Sequence, residues 1–164
     1  TSERANYMEY FLPIILHTRS VVWQNTQNLF PFNSKKDLKE KWGVTVINNS
    51  FGDSFDAYAR RNLNVLTVSS VQKALELLVA GKVDYFLYEK RPAETYVNVL
   101  GLSDDVVSVE PHISSEVSYL TISKKSPCNT MAIRQKIEIA LGEMKSEGFI
   151  REAIRKGVEE WQAQ

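Results

Sequence analysis

Glu89 ends the run Val83-Asp84-Tyr85-Phe86-Leu87-Tyr88, which follows Gly81 and reads as a buried strand. A carboxylate at the end of such a strand either stays solvated or binds a cation. A second polar feature is the turn Asn48-Asn49-Ser50-Phe51-Gly52-Asp53-Ser54, which separates an apolar run from a helical one. Cys128 is the sole cysteine, so no internal disulfide can form, and no histidine lies near it to make a nucleophile or metal ligand. His17 and His112 are far apart and share no ligand spacing, so the sequence gives no metal site, and no catalytic residue or cofactor is assigned.

The elements that must position these residues belong to a chain of 164 residues, 43% hydrophobic and 24% charged, enough for a real core. Lys+Arg and Asp+Glu number 20 each, and this balance gives no electrostatic case for nucleic acid or a membrane surface. No apolar run reaches the ~18 residues of a membrane-spanning helix. The sequence opens at Thr1 with no visible signal peptide. A mature exported protein and a fragment would both look like this.

Strands are expected at 20–23, 43–47, 64–68 and 83–88. A helix start is expected over 33–38, with Ser34 as N-cap and Asp37 three residues on. Helices are expected at 55–61, at 69–80 with Ser69 and Gln72 as a capping box, and at 91–99. Val71, Ala74, Leu75, Leu78 and Val79 form one apolar face, and Gly81 suits the position that ends that helix. The order β-α-β-α-β-α-β predicts an α/β domain with a largely parallel sheet. Further strands at 106–109 and 117–122 precede helices at 130–147 and 149–161. Open α/β sheets bind ligands beyond the carboxyl ends of their strands. Glu89 and the 48–54 turn both fall there.

Taken in order, "TSERANYMEYF", "KKDLKEKWGVTV", "SSVQKALELLVAGKVDYFLYE", "YLTISKKSP" and "ALGEMKSEGFIREAIRKG" resemble the periplasmic solute-binding proteins of amino-acid ABC transporters, the family-3 extracellular binding proteins. The resemblance runs over essentially the whole chain and rests on five segments in the right order. It implies a type II periplasmic-binding-protein-like α/β fold: one complete lobe with a mostly parallel sheet, plus part of the other. Residues 17–117 would form the second lobe. Residues 1–16 and 118–164 would be the remainder of the first, whose opening β-α-β-α stretch has no counterpart here. Exposed remnants of that lobe, including Ile133, Ile137, Leu141, Ile154 and Trp161, would then favour a homodimer.

By the same resemblance, Arg4 falls on the arginine that holds the ligand α-carboxylate, a role suited to its planar two-donor fork. Glu89 falls on the acid, usually Asp, that pairs with the ligand ammonium. Asn49 and Ser50 fall on a Gly-Ser/Thr-Ser/Thr loop whose N–H and hydroxyl groups form an anion site at a helix N-terminus; the usual Gly is replaced here. The implied function is capture of a free amino acid between the lobes by hinge closure, without chemistry, for uptake through an ABC permease from the periplasm or as an extracellular, membrane-associated protein. Two alternatives stay open: a cyclohexadienyl dehydratase on the same scaffold, with Glu89 as general acid, and a ligand-sensing module of a signalling protein.

Overall fold

The computed structural model describes residues 4–162. In chain order the elements are a 3-10 turn (Arg4–Asn6), strands β1 (Met8–Tyr10) and β2 (Leu16–Asn25), and a second 3-10 turn (Lys35–Leu38). Then come β3 (Trp42–Val46), α1 (Asp53–Asn62), β4 (Asn64–Val68), α2 (Val71–Val79), β5 (Tyr85–Glu89) and α3 (Lys90–Val99). The chain ends with β6 (Val106–Ser118), β7 (Thr121–Ser123), α4 (Met131–Ser146) and α5 (Phe149–Gln162). Contacts divide it into two compact units, Thr1–His17 with Val117–Gln164, and Thr18–Glu116.

The Thr18–Glu116 unit is built on a five-stranded sheet in the order β4-β3-β5-β2-β6. Alternation of side chains along its inner strands decides the two faces. Val21, Trp23, Val44 and Phe86 point to one side and pack with Val71, Ala74, Leu75 and Leu78 of α2 and Ala93 and Val97 of α3. Val22, Tyr85 and Leu87 point to the other and pack with Phe32, Leu38, Phe51 and Phe55. Strands covered on both faces read as near-continuous apolar runs, which is why 83–88 shows no polar alternation.

The sheet is mixed rather than parallel throughout. β3 runs parallel to β4 and to β5, but β2 runs antiparallel to β5, pairing Ser20 with Glu89 and Trp23 with Phe86. The segment between β2 and β3 holds only a single 3-10 turn, not a crossover helix, so nothing forces β2 to run with its neighbours. That turn is where a helix start was expected. Its capping box is formed: Ser34 accepts from the Lys36 N–H and Asp37 accepts from the Ser34 N–H at 2.8 Å.

The cap of α2 is Ser70, not Ser69. The Ser70 hydroxyl accepts from the Lys73 N–H at 3.2 Å, while Gln72 turns outward and donates to Glu76. At the other end Gly81 adopts φ +64. The Lys82 and Gly81 N–H groups then bond back to the Leu77 and Leu78 carbonyls at 2.9 and 3.1 Å, closing a Schellman motif. The expected strand 106–109 extends to Ser118, and that at 117–122 divides between β6 and β7.

The other unit has a thinner core. β1 and β7 pair antiparallel, Met8 with Ser123 and Tyr10 with Thr121. Phe11 and Leu141 are buried, so Leu141 is not part of an exposed face as expected. The exposed large apolar side chains of α4 are Met131, Ile133 and Ile139, and Phe149 opens α5. Ile137, Ile154 and Trp161 are partly covered.

Candidate functional site

Two parallel strands bring the candidate residues of the Thr18–Glu116 unit together. Val44 of β3 pairs with Phe86 of β5, so both strands deliver their carboxyl ends to the same edge of the sheet. The Thr45 hydroxyl, buried, ties them there by donating to the Leu87 carbonyl at 3.0 Å. Beyond this point β5 has two more residues and ends on Glu89, which is the last residue of the strand and also the N-cap of α3. β3 gives way to the turn at 47–52, where Asn48 takes φ +63, a left-handed conformation that Asn tolerates. The turn folds back so that Asn49 Nδ2 donates to Glu89 Oε2 at 3.4 Å.

Glu89 makes no side-chain bond to the N–H groups of α3. Its carboxylate is half-buried at the sheet edge, with Ser20 as its cross-strand partner. Lys90 follows it but lies 4.0 Å from Glu110. A carboxylate held by one amide and still partly open to solvent is an acceptor for an ammonium or guanidinium group.

Ser50 is differently placed. Its hydroxyl donates to Asp56 Oδ2 at 2.6 Å, and the other oxygen of Asp56 accepts from the Phe51 N–H at 2.9 Å. The Gly52 N–H points at the Ser50 oxygen at 3.4 Å. The donors expected to serve an anion at the start of α1 are thus engaged by a carboxylate of α1 itself. Gly52, at φ +88, leaves room for a second acid: a Cβ there would stand 2.4 Å from Glu116 Oε1.

Asp56 and Glu116 were not singled out from the sequence. An acid in the first turn of a helix is an ordinary macrodipole partner, which gave Asp56 no distinction. Glu116 is remote in sequence from the turn it approaches, and no local pattern signals it.

Arg4 belongs to the other unit, on the exposed 3-10 turn before β1. That turn is held by Lys124, whose Nζ donates to the Ala5 carbonyl at 2.7 Å. The rest of the Thr-x-Glu-Arg segment, residues 1–3, lies outside the described residues. Among the described residues no group of three or more His, Cys, Asp or Glu side chains could hold a metal, and no helix is long and apolar enough to cross a membrane.

No protein-family model matches the chain, and no curated protein matches it. Solved structures do. An amino acid ABC transporter substrate-binding protein from Streptococcus pneumoniae, bound to L-arginine, superposes with a TM-score of 0.76 at 14% identity, over 97% of this chain and 64% of that one. A mutant of ArgBP from T. maritima gives 0.74 at 18% identity, over 95% of this chain and 64% of that one. A histidine kinase sensor domain with similarity to periplasmic binding proteins gives 0.70 at 18% identity, over 96% and 65%. The chain therefore spans less than two thirds of the length of these proteins. Across that span it has the α/β fold of the substrate-binding proteins of amino-acid ABC transporters.

Proposed function

We propose that the protein binds a free amino acid, with Glu89 receiving the ligand ammonium group and Asn49 fixing the carboxylate that receives it. The carrying observation is the Asn49–Glu89 contact at the carboxyl edge of parallel strands, where open α/β sheets take their ligands. The likeness to proteins bound to arginine supports the ligand class. Arg4 is assigned to the ligand carboxylate by guanidinium chemistry and by the family resemblance. Ser50 serves the same carboxylate, which it reaches by exchanging the Asp56 partner for the ligand.

Binding is without turnover. A reacting acid is enclosed away from water, whereas Glu89 stands half-open at the edge of the sheet. Closure of two lobes on the ligand, delivery to an ABC permease and a periplasmic location are the roles that the resemblance implies for the whole protein. The likeness to a histidine kinase sensor domain favours a second reading, in which the same binding step feeds a signal.

The test is an NMR titration of the labelled protein with the standard L-amino acids and with prephenate. Amide shifts centred on residues 48–52 and 89–91 for at least one amino acid support the reading. Silence towards every amino acid refutes it, and consumption of prephenate replaces it with the enzyme.

A further inference from the structure

β4 is an edge strand: β3 lies along one side of it, and among the described residues no strand lies along the other. Its register with β3 decides which backbone groups are left over. Asn64, Leu66 and Val68 pair in parallel with Trp42, Val44 and Val46, and the Ile47 N–H donates to the Val68 carbonyl at 2.9 Å. In a parallel ladder a residue turns its N–H and C=O to the same side, and that side alternates along the strand. Val68 and Leu66 therefore bond inward to β3, whereas Val65 and Thr67 direct their N–H and C=O groups outward. Among the described residues no turn or loop backbone meets these outward groups.

The two edges of the sheet are guarded differently. Exposed edges are ordinarily blocked by charges or proline. β6, the opposite edge, carries Glu110, Pro111, His112 and Glu116. The stretch from Asn62 to Ser70, which contains β4, holds no charge and no proline. Arg61 lies beyond one end of it, and Lys73, beyond the other, is paired with Glu76 at 3.1 Å. At the middle of β4 the Leu66 side chain is 42% exposed.

We propose that β4 pairs antiparallel with β4 of a second copy of this chain. A twofold axis through Leu66 places Val65 opposite Thr67 and Thr67 opposite Val65. These are the residues with outward groups, so each such pair exchanges both of its N–H···O=C bonds. Leu66 then meets its own copy at the closer, non-hydrogen-bonded spacing, which covers its exposed side chain. The contact is isologous, as a closed dimer requires, and an uncharged strand meets itself without like-charge repulsion. A five-residue edge buries well under the roughly 800 Å² per partner of a stable interface, so the dimer is reversible and concentration-dependent. This surface is not the face of α4 and α5 expected from the sequence. It is independent of the ligand reading, and either can fail alone.

The test is sedimentation equilibrium of the full 164-residue chain over a rising concentration series. The expected result is a weight-average mass that climbs from one chain toward two. Thr67→Pro removes an outward N–H and leaves the ladder with β3 intact, because proline is tolerated where the N–H of an edge strand faces solvent. Losing that bond and its symmetry mate should weaken association roughly 30-fold. Leu66→Lys and Leu66→Glu each set like charges against one another at the axis, and each alone should stay monomeric. An equimolar mixture of the two should associate. Circular dichroism checks that each variant folds, and if Thr67→Pro does not, the two Leu66 variants carry the test. The proposal is overturned by a parent chain that is monomeric at every concentration, or by undiminished association of Leu66→Lys. It is equally overturned by a mixture that associates no more than its components, or by an extended apolar peptide that binds this edge of a chain that stays monomeric.

Discussion

Asn49 and Glu89, 40 residues apart in sequence, meet at 3.4 Å because β3 and β5 are parallel neighbours that end at one edge. The amide engages one carboxylate oxygen, and in the proposed function the other receives the ligand cation. A charge-assisted bond of that kind is worth about 1.5–3 kcal/mol. Glu89→Gln should therefore weaken amino-acid binding by at least about tenfold. Its melting temperature should stay near that of the parent, since the side chain is half-exposed and outside both apolar clusters. Isothermal titration and thermal melts on the same samples check both halves. Unchanged affinity would remove Glu89 from the site.

Gly43 is fixed by packing and not by backbone conformation. A Cβ at this position would stand 2.2 Å from Cε2 of Tyr85 and 2.4 Å from its Cζ, on the neighbouring strand. The ring is fully buried and cannot swing away cheaply. Overpacking of a tight core costs about 1–3 kcal/mol, and Gly43→Ala should destabilise by an amount in that range. The companion change Tyr85→Leu should cancel much of the Gly43→Ala penalty in a double-mutant cycle followed by urea denaturation. A purely additive pair would show that the ring is not what demands glycine.

Much of this fold was legible in the sequence because its signals are local. The α2 stripe of Val71, Ala74, Leu75 and Leu78 and the glycine at 81 are each readable within one or two turns of chain. The cap of α2 shows the limit: Ser69 was expected, but the adjacent hydroxyl of Ser70 is the one that accepts from the Lys73 N–H. The reversed direction of β2 was hidden because strand orientation follows from the path of the chain between elements, which composition does not encode. The geometry of the candidate site was half legible. Glu89 and Asn49 stand out as polar residues at strand ends, whereas Asp56 and Glu116 owe their roles to the turn geometry that carries them to Ser50 and Gly52.

Asp37 links a local cap to acid stability. Backbone N–H groups of Asn33 and Ser34 favour its charged form and hold its pKa below the usual carboxylate value. A carboxylate whose pKa is lowered by folding contributes stability above its unfolded pKa and loses it as pH falls through the folded one. Asp37→Asn should lower the melting temperature at pH 7. The gap to the parent should close as pH drops below about 4. Melting curves across the acid range decide it, and a gap that persists unchanged to low pH would show that ionisation of Asp37 is not the source.

Tyr85 carries a cost that the fold does not recover. Its ring fills the space over Gly43 and packs edge-on against Phe30 with centroids 6.4 Å apart, but its hydroxyl is buried without a protein partner. Leaving a buried hydroxyl unpaired costs about 1–3 kcal/mol, whereas the ring contributes as an apolar group. Tyr85→Phe keeps the ring and should be neutral or stabilising near pH 7, by up to about 2 kcal/mol in urea denaturation. The same burial, reinforced by the charges of Asp84 and Tyr58, raises the phenol pKa well above its usual range. A group whose pKa is raised by folding supports the native state below its unfolded pKa and withdraws that support as pH climbs towards the folded value. The parent should therefore lose stability above about pH 10, and Tyr85→Phe should lose less over the same interval. A Phe variant that is markedly less stable at neutral pH would mean that the hydroxyl has a partner after all, and an unchanged alkaline slope would mean that another group titrates there.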